Sequence, residues 1–157
     1  MKNSEIEKLV FEDFLKVTNL EVTDIVYSDH PDVKFNFENK KIGVELSELL
    51  DERDQEEIKI IKSGLQAPGY SFDPMDISKI EMSLKKKKEK DYSLPGHEIW
   101  LVLYTNHVGM PLIDHFSEIS EKIERLFIKF LEQKKDLNRV MIFEKNLKKI
   151  VVDVSRD

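Results

Sequence analysis

The chain is predicted to fold as a single α/β domain spanning residues 1–157, a mixed β-sheet flanked by helices. Three observations predict this class. Three segments repeat apolar residues at helical spacing, around residues 4–17, 76–90 and 113–133. Two short runs, 33–38 and 42–47, alternate apolar and polar residues with period two. The run Glu98–Tyr104 (EIWLVLY) is almost continuously apolar, as in a strand covered on both faces. At 157 residues the chain has the length of one ordinary domain.

The elements follow in order. Ser4 to Val17 is predicted to be a helix, with Ser4 as its cap and Glu7 three residues on, as in a capping box. Ile6, Leu9, Val10, Phe14 and Val17 share one face, and Glu7 and Asp13 lie at its edges. Glu21–Tyr27 is a first strand. Val33–Glu38 and Ile42–Ser47 form a hairpin around a tight turn at Glu38-Asn39-Lys40, with one apolar and one polar face. Residues 48–63 are charged and read as helical, and Gly64–Pro74 reads as a loop or lid. Asp76 caps a helix running to about Lys90, striped by Ile77, Ile80 and Leu84. After a turn at Pro95-Gly96 comes the Glu98–Tyr104 strand. A long amphipathic helix, Ile113–Gln133, follows, with an apolar face broad enough to serve packing or a homodimer interface. Strands Arg139–Phe143 and Lys148–Val154, joined at Lys145-Asn146, close the chain. The first three strands suggest an antiparallel meander. The strand–helix–strand unit from 98 to 143 suggests a parallel crossover.

Composition removes several classes of function. The chain has no cysteine, which excludes disulfides, thiolate zinc sites and cysteine nucleophiles. No apolar run reaches the ~20 residues of a membrane helix, and the acidic, amphipathic start is unlike a signal peptide. A soluble, cytoplasmic protein is expected. His30, His97, His107 and His115 lack zinc-protease spacing, and the nucleotide-loop and serine-hydrolase motifs are missing. The net charge of −6 gives no global footprint for nucleic acid. Its distribution is uneven, however: residues 1–57 carry 16 acids and 7 bases, the rest 15 acids and 18 bases. An acidic half suits a cation and a basic half suits an anion.

The richest stretch is HPDVKFNFENKKIGVELSEL, residues 30–49. Asp32 opens one hairpin strand after Pro31, and Glu45 lies on the partner strand. By alternation both carboxylates fall on the polar side, where pairing brings them within a few ångströms. Two carboxylates held close repel unless one is protonated or a cation lies between them. A hard ion such as Mg²⁺ takes a few such oxygens and keeps other positions for water and phosphate. Gly43, on the face of Glu45, is expected to leave open space beside them.

The pattern resembles the PD-(D/E)XK, or restriction-endonuclease-like, nuclease superfamily. Pro31-Asp32 matches the first half of its motif and Glu45-Leu46-Ser47 the second, with Ser47 where the family has lysine. The order helix, three strands, helix, strand over about residues 4–105 matches its αβββαβ core. The last helix and β-hairpin would then be a C-terminal extension. The resemblance implies hydrolysis of phosphodiester bonds in DNA or RNA with Mg²⁺ or Mn²⁺. Asp32, Glu45 and the Leu46 carbonyl would be the metal ligands, and Glu7 the acid supplied by the first helix. Some branches supply the missing lysine from the next helix. Here that helix holds Lys79 and Lys85 to Lys88; Lys87 and Lys88 both lie beside the apolar stripe and either could point toward the sheet, with Lys87 the preferred candidate. The departure at Ser47 leaves a second expectation open: a catalytically inactive relative that binds nucleic acid or protein.

Overall fold

The computed structural model describes residues 3–49, 77–105, 116–145 and 148–156. The elements are α1 (Asn3–Thr18), β1 (Thr23–Tyr27), β2 (Val33–Phe37), β3 (Lys40–Glu48), α2 (Ile77–Lys88), β4 (His97–Thr105), α3 (Phe116–Gln133), β5 (Arg139–Glu144) and β6 (Lys149–Ser155). Among the described residues the strands form one six-stranded sheet in the order β1-β2-β3-β4-β5-β6. The first three pair antiparallel, β3–β4 and β4–β5 pair parallel, and β5–β6 pairs antiparallel. The expected α/β class, meander and crossover are all present. The predicted helix over 48–63 and the loop over 64–74 lie outside the described residues apart from Glu48, which ends β3, and Leu49.

Each face of the sheet carries its own core. On one, α1 sets Val10, Phe11 and Phe14 against Phe35, Val44, Trp100 and Phe143. On the other, α2 and α3 set Ile80, Leu84, Ile123 and Phe127 against Leu101, Leu103, Val140 and Ile142. Two-sided coverage explains why β4 and β5 read as unbroken apolar runs rather than as alternating ones. The apolar face of α3 is spent on this packing, and among its large apolar residues with described side chains only Ile128 stands half exposed.

Local chemistry sets the boundaries. The β2–β3 hairpin turns on Glu38 and Asn39, both at positive φ (49° and 63°), as a two-residue type I′ loop requires. This turn fixes the register Val33↔Val44 through Phe37↔Lys40. Ser4 lies inside α1 and does not cap it, because the helix already includes Asn3. The polar face expected for the hairpin is closed to water at its Asp32, Gly43 and Glu45 end, while Lys41 is exposed. Gly43, Val44, Glu45 and Leu46 are all buried, so Glu45 is a charged group inside the molecule. No helix among the described residues is long and apolar enough to cross a membrane.

Candidate metal and phosphate site

The site begins where β2 stops short. β3 continues past the last β2 pair, Val33↔Val44, which leaves its next backbone donor on that side without a strand partner. Asp32 fills the gap: its Oδ2 accepts the Leu46 N–H at 2.8 Å. The carboxylate thus lies where β2 begins, inside the sheet beside the C-terminal half of β3. Glu7 of α1 comes within hydrogen-bonding reach of Asp32, and so does Glu45 of β3. Sequence reasoning singled out all three acids, and the fold brings them together. Asp32 and Glu45 are each only 8% exposed.

The electrostatics follow from that convergence. Burial pushes the Glu7 carboxyl up to about 7, helped by the charge of Asp32 and a hydrogen bond to it. Burial also pushes Asp32 up to about 6, against the lowering effect of the Leu46 N–H, and the charge of Glu45 adds to the rise. Like charges this close cannot all ionise cheaply, so the Glu7–Asp32 pair holds a proton more tightly than either acid does alone. The deficit of positive charge is what a divalent cation at the same point would supply. Among the described residues no three His, Asp or Glu side chains are spaced to hold a metal ion by themselves. The donor set that fits one is therefore Asp32 and Glu45, completed by backbone oxygen, water or substrate oxygen. In an extended strand a residue's N–H and C=O point the same way. Since the Leu46 N–H faces Asp32, its carbonyl faces that side too.

The sign of the pH dependence is fixed. Both carboxyls hold protons more tightly folded than unfolded, where their values are 4.5 and 3.8. The stability they contribute is complete below about pH 4 and drains away as pH rises toward 7. Asp29, His30, Glu45 and the Lys87 ammonium face the same pair. Metal-free protein should therefore be more stable at pH 5 than at pH 8, by about 1–2 kcal/mol once solvent screening of the half-exposed Glu7 is allowed for. Urea unfolding at the two pH values checks this, and Glu7→Gln should shrink the difference. Stability that rises between pH 5 and 8 would contradict it.

Lys87 lies on the face of α2 that carries Ile80 and Leu84, and it is half buried. Burial lowers its pKa, the ammonium of Lys90 lowers it further, and the charges of Glu45 and Asp32 oppose the shift. Its neighbour Lys88 points instead into a groove with Leu126, Lys129 and Phe130 of α3. Ser47 stands at the motif's lysine position, half buried on the same strand face as Glu45.

Gly43 corrects an expectation. No open space lies beside it: a Cβ there would sit 2.7 Å from Pro31 Cγ and 2.9 Å from Ile99 Cδ1. The glycine lets Pro31, and with it Asp32, close onto β3. Gly43→Ala should cost about 1–3 kcal/mol by overpacking and displace Asp32. A urea midpoint equal to wild type would show instead that Pro31 yields freely.

Three further residues belong to the neighbourhood. His30 Nδ1 lies 3.4 Å from Glu45 Oε1, although the His30 side chain is 87% exposed. Tyr92 carries a buried hydroxyl without a hydrogen-bond partner among the described residues. Its pKa is raised by burial first, then by the charges of Glu45, Asp136 and Asp32. Lys90 stands beside Lys87. A histidine one residue from Pro31-Asp32 was the available signal for the first. Tyr92 had none, because its placement depends on Asp136, whose Oδ2 accepts the Tyr92 N–H at 2.7 Å from 44 positions away. Comparison with protein-family models, curated proteins and solved structures finds no match to this chain.

Proposed function

We propose that the chain is a metal-dependent nuclease of the PD-(D/E)XK type, with a restriction-endonuclease-like core, acting on DNA or RNA. The observation that carries this reading is the buried Asp32–Glu45 pair where β2 begins, with Lys87 of α2 near enough for both charges to act on it. Asp32, Glu45 and the Leu46 carbonyl would hold Mg²⁺ or Mn²⁺. When bound, the ion supplies Lewis-acid charge to the phosphate and lowers the pKa of a coordinated water. The chain's own groups do the rest. Asp32 is fixed on one side by the Leu46 N–H, so its carboxylate keeps one orientation. Glu7 shares a proton with Asp32 and helps to hold it in place. The Lys87 ammonium offsets phosphate charge and orients the attacking water, the task the family's lysine performs two positions after the acid.

The test is Mn²⁺ calorimetry on wild type and on the Asp32→Ala/Glu45→Ala double variant. Binding to wild type that vanishes in the variant, with the circular dichroism unchanged, is the expected result. Equal heats for both proteins would remove the reading. Ser47 favours a second reading, an inactive member of the same fold that binds nucleic acid or protein. That reading expects a folded protein with no cleavage under any metal, and turnover dependent on Glu45 eliminates it.

A further inference from the structure

Beside Glu45 lies a cavity of about 380 Å³. This is the low end of the ~300–1,000 Å³ range of small-molecule sites. It has room for about one nucleotide. Pro31, Leu94 and Ile99 give it apolar walls, while His30, Lys90, Asp91 and Ser93 give it polar and charged groups. We propose that this cavity is the subsite for one nucleotide unit of a single strand, next to the phosphate held at Asp32 and Glu45. The inference rests on the nuclease reading and names its substrate class.

Three observations support it. The first is position, since Glu45 is shared between the cavity wall and the carboxylate pair. The second is charge. Lys90 lines the cavity together with the carboxylates of Asp91 and Glu45, and with Lys87 near it its ammonium is the group there that attracts an anion. A phosphate entering there meets Lys90 and then the carboxylate pair, where an ion could bridge it. The third is rigidity. The wall made by residues 91–94 is pinned from behind: Tyr92 N–H donates to Asp136, and Lys134 Nζ stands 5.4 Å from the centroid of the Tyr92 ring. A pinned wall selects by shape, and the apolar side chains of Pro31, Leu94 and Ile99 suit a sugar or base rather than a second phosphate.

The experiment is fluorescence anisotropy with a 5′-labelled decanucleotide, single-stranded or in a blunt duplex, with Ca²⁺ in place of Mn²⁺. The single strand should bind at least about tenfold more tightly than the duplex. Leu94→Trp, which fills the cavity, should remove that preference by weakening single-strand binding at least about tenfold. Lys90→Glu should weaken it comparably; that side chain is exposed, so the variant retains the fold even if Leu94→Trp does not. Wild-type affinity in Lys90→Glu and in folded Leu94→Trp would overturn the subsite, as would a duplex bound as tightly as the single strand. Mn²⁺ calorimetry separates the two ideas. If wild type takes up no Mn²⁺ yet the strand preference is present and lost in the variants, the nuclease reading fails and the subsite stands. If Mn²⁺ binds and strands are cut, but both variants behave as wild type, the subsite alone fails.

Discussion

Replacing Glu45 by Gln is expected to abolish metal binding and cleavage while making the metal-free protein more stable. The two effects have one cause. Glu45 is 8% exposed and its charge raises the pKa of Asp32, so the folded state carries a repulsion that the amide would remove at nearly constant volume. The gain should be about 0.5–1.5 kcal/mol, the usual return when a functional charge cluster is neutralised. Loss of the His30 contact offsets little of this. It is long, at 3.4 Å, and its histidine is 87% exposed, in the range where surface pairs contribute close to nothing. On the activity side, a bound metal supplies several kcal/mol of charge stabilisation to a phosphoryl centre. At about 1.36 kcal/mol per tenfold, its loss should cost on the order of 10³-fold in rate. Thermal unfolding without metal, beside cleavage of a labelled strand with Mn²⁺, measures both. Cleavage that survives the substitution would show that Glu45 is not a ligand. A fall in melting temperature would show that the carboxylate is compensated by neighbours in the folded state.

The sequence made Asp32 and Glu45 legible because local rules govern them. Alternation along Val33–Phe37 and Ile42–Ser47 sets the strand faces, and Asn39 in a two-residue turn sets the register, so two positions far apart in the sequence could be brought together from pattern alone. Glu7 was legible by helical phase but its partner was not: an acid three residues after a serine reads equally as half of a capping box. The choice of Asp32 over Ser4 depends on where α1 lies across the sheet. Burial was misjudged for the same reason. A strand with polar residues on one face looks solvated until a second layer covers it, and α2 reaches that face only after the long connection from β3. Gly43 shows the opposite error, since a missing side chain says nothing about whether a neighbour has moved into the space. Tyr92, Lys90 and the cavity they help to line were invisible because a contact between residues 92 and 136 leaves no local periodicity.

Lys87→Met should reduce cleavage by about 10²–10³-fold, the usual range for losing one preorganised group at a developing charge, with little loss of Mn²⁺ affinity. Methionine keeps the length of the stem that packs beside Ile80 and Leu84, so the substitution isolates the ammonium. Stability should hold or rise slightly, because burial and Lys90 both disfavour the charged form at this position. Lys88→Met is the matched control. That side chain lines the groove with Leu126 and Phe130, away from the carboxylates, and its rate should stay within about twofold of wild type. The decisive protein is Ser47→Lys in the Lys87→Met background. Position 47 shares the strand face of Glu45, and a lysine there would restore the motif in its usual place. If the charge rather than its chain of origin matters, this double variant should recover at least about tenfold of the lost rate. Failure to recover, with the fold intact, would mean that Lys87 acts through geometry position 47 cannot reproduce. A Lys87→Met variant as fast as wild type would mean that the migrated lysine is not Lys87.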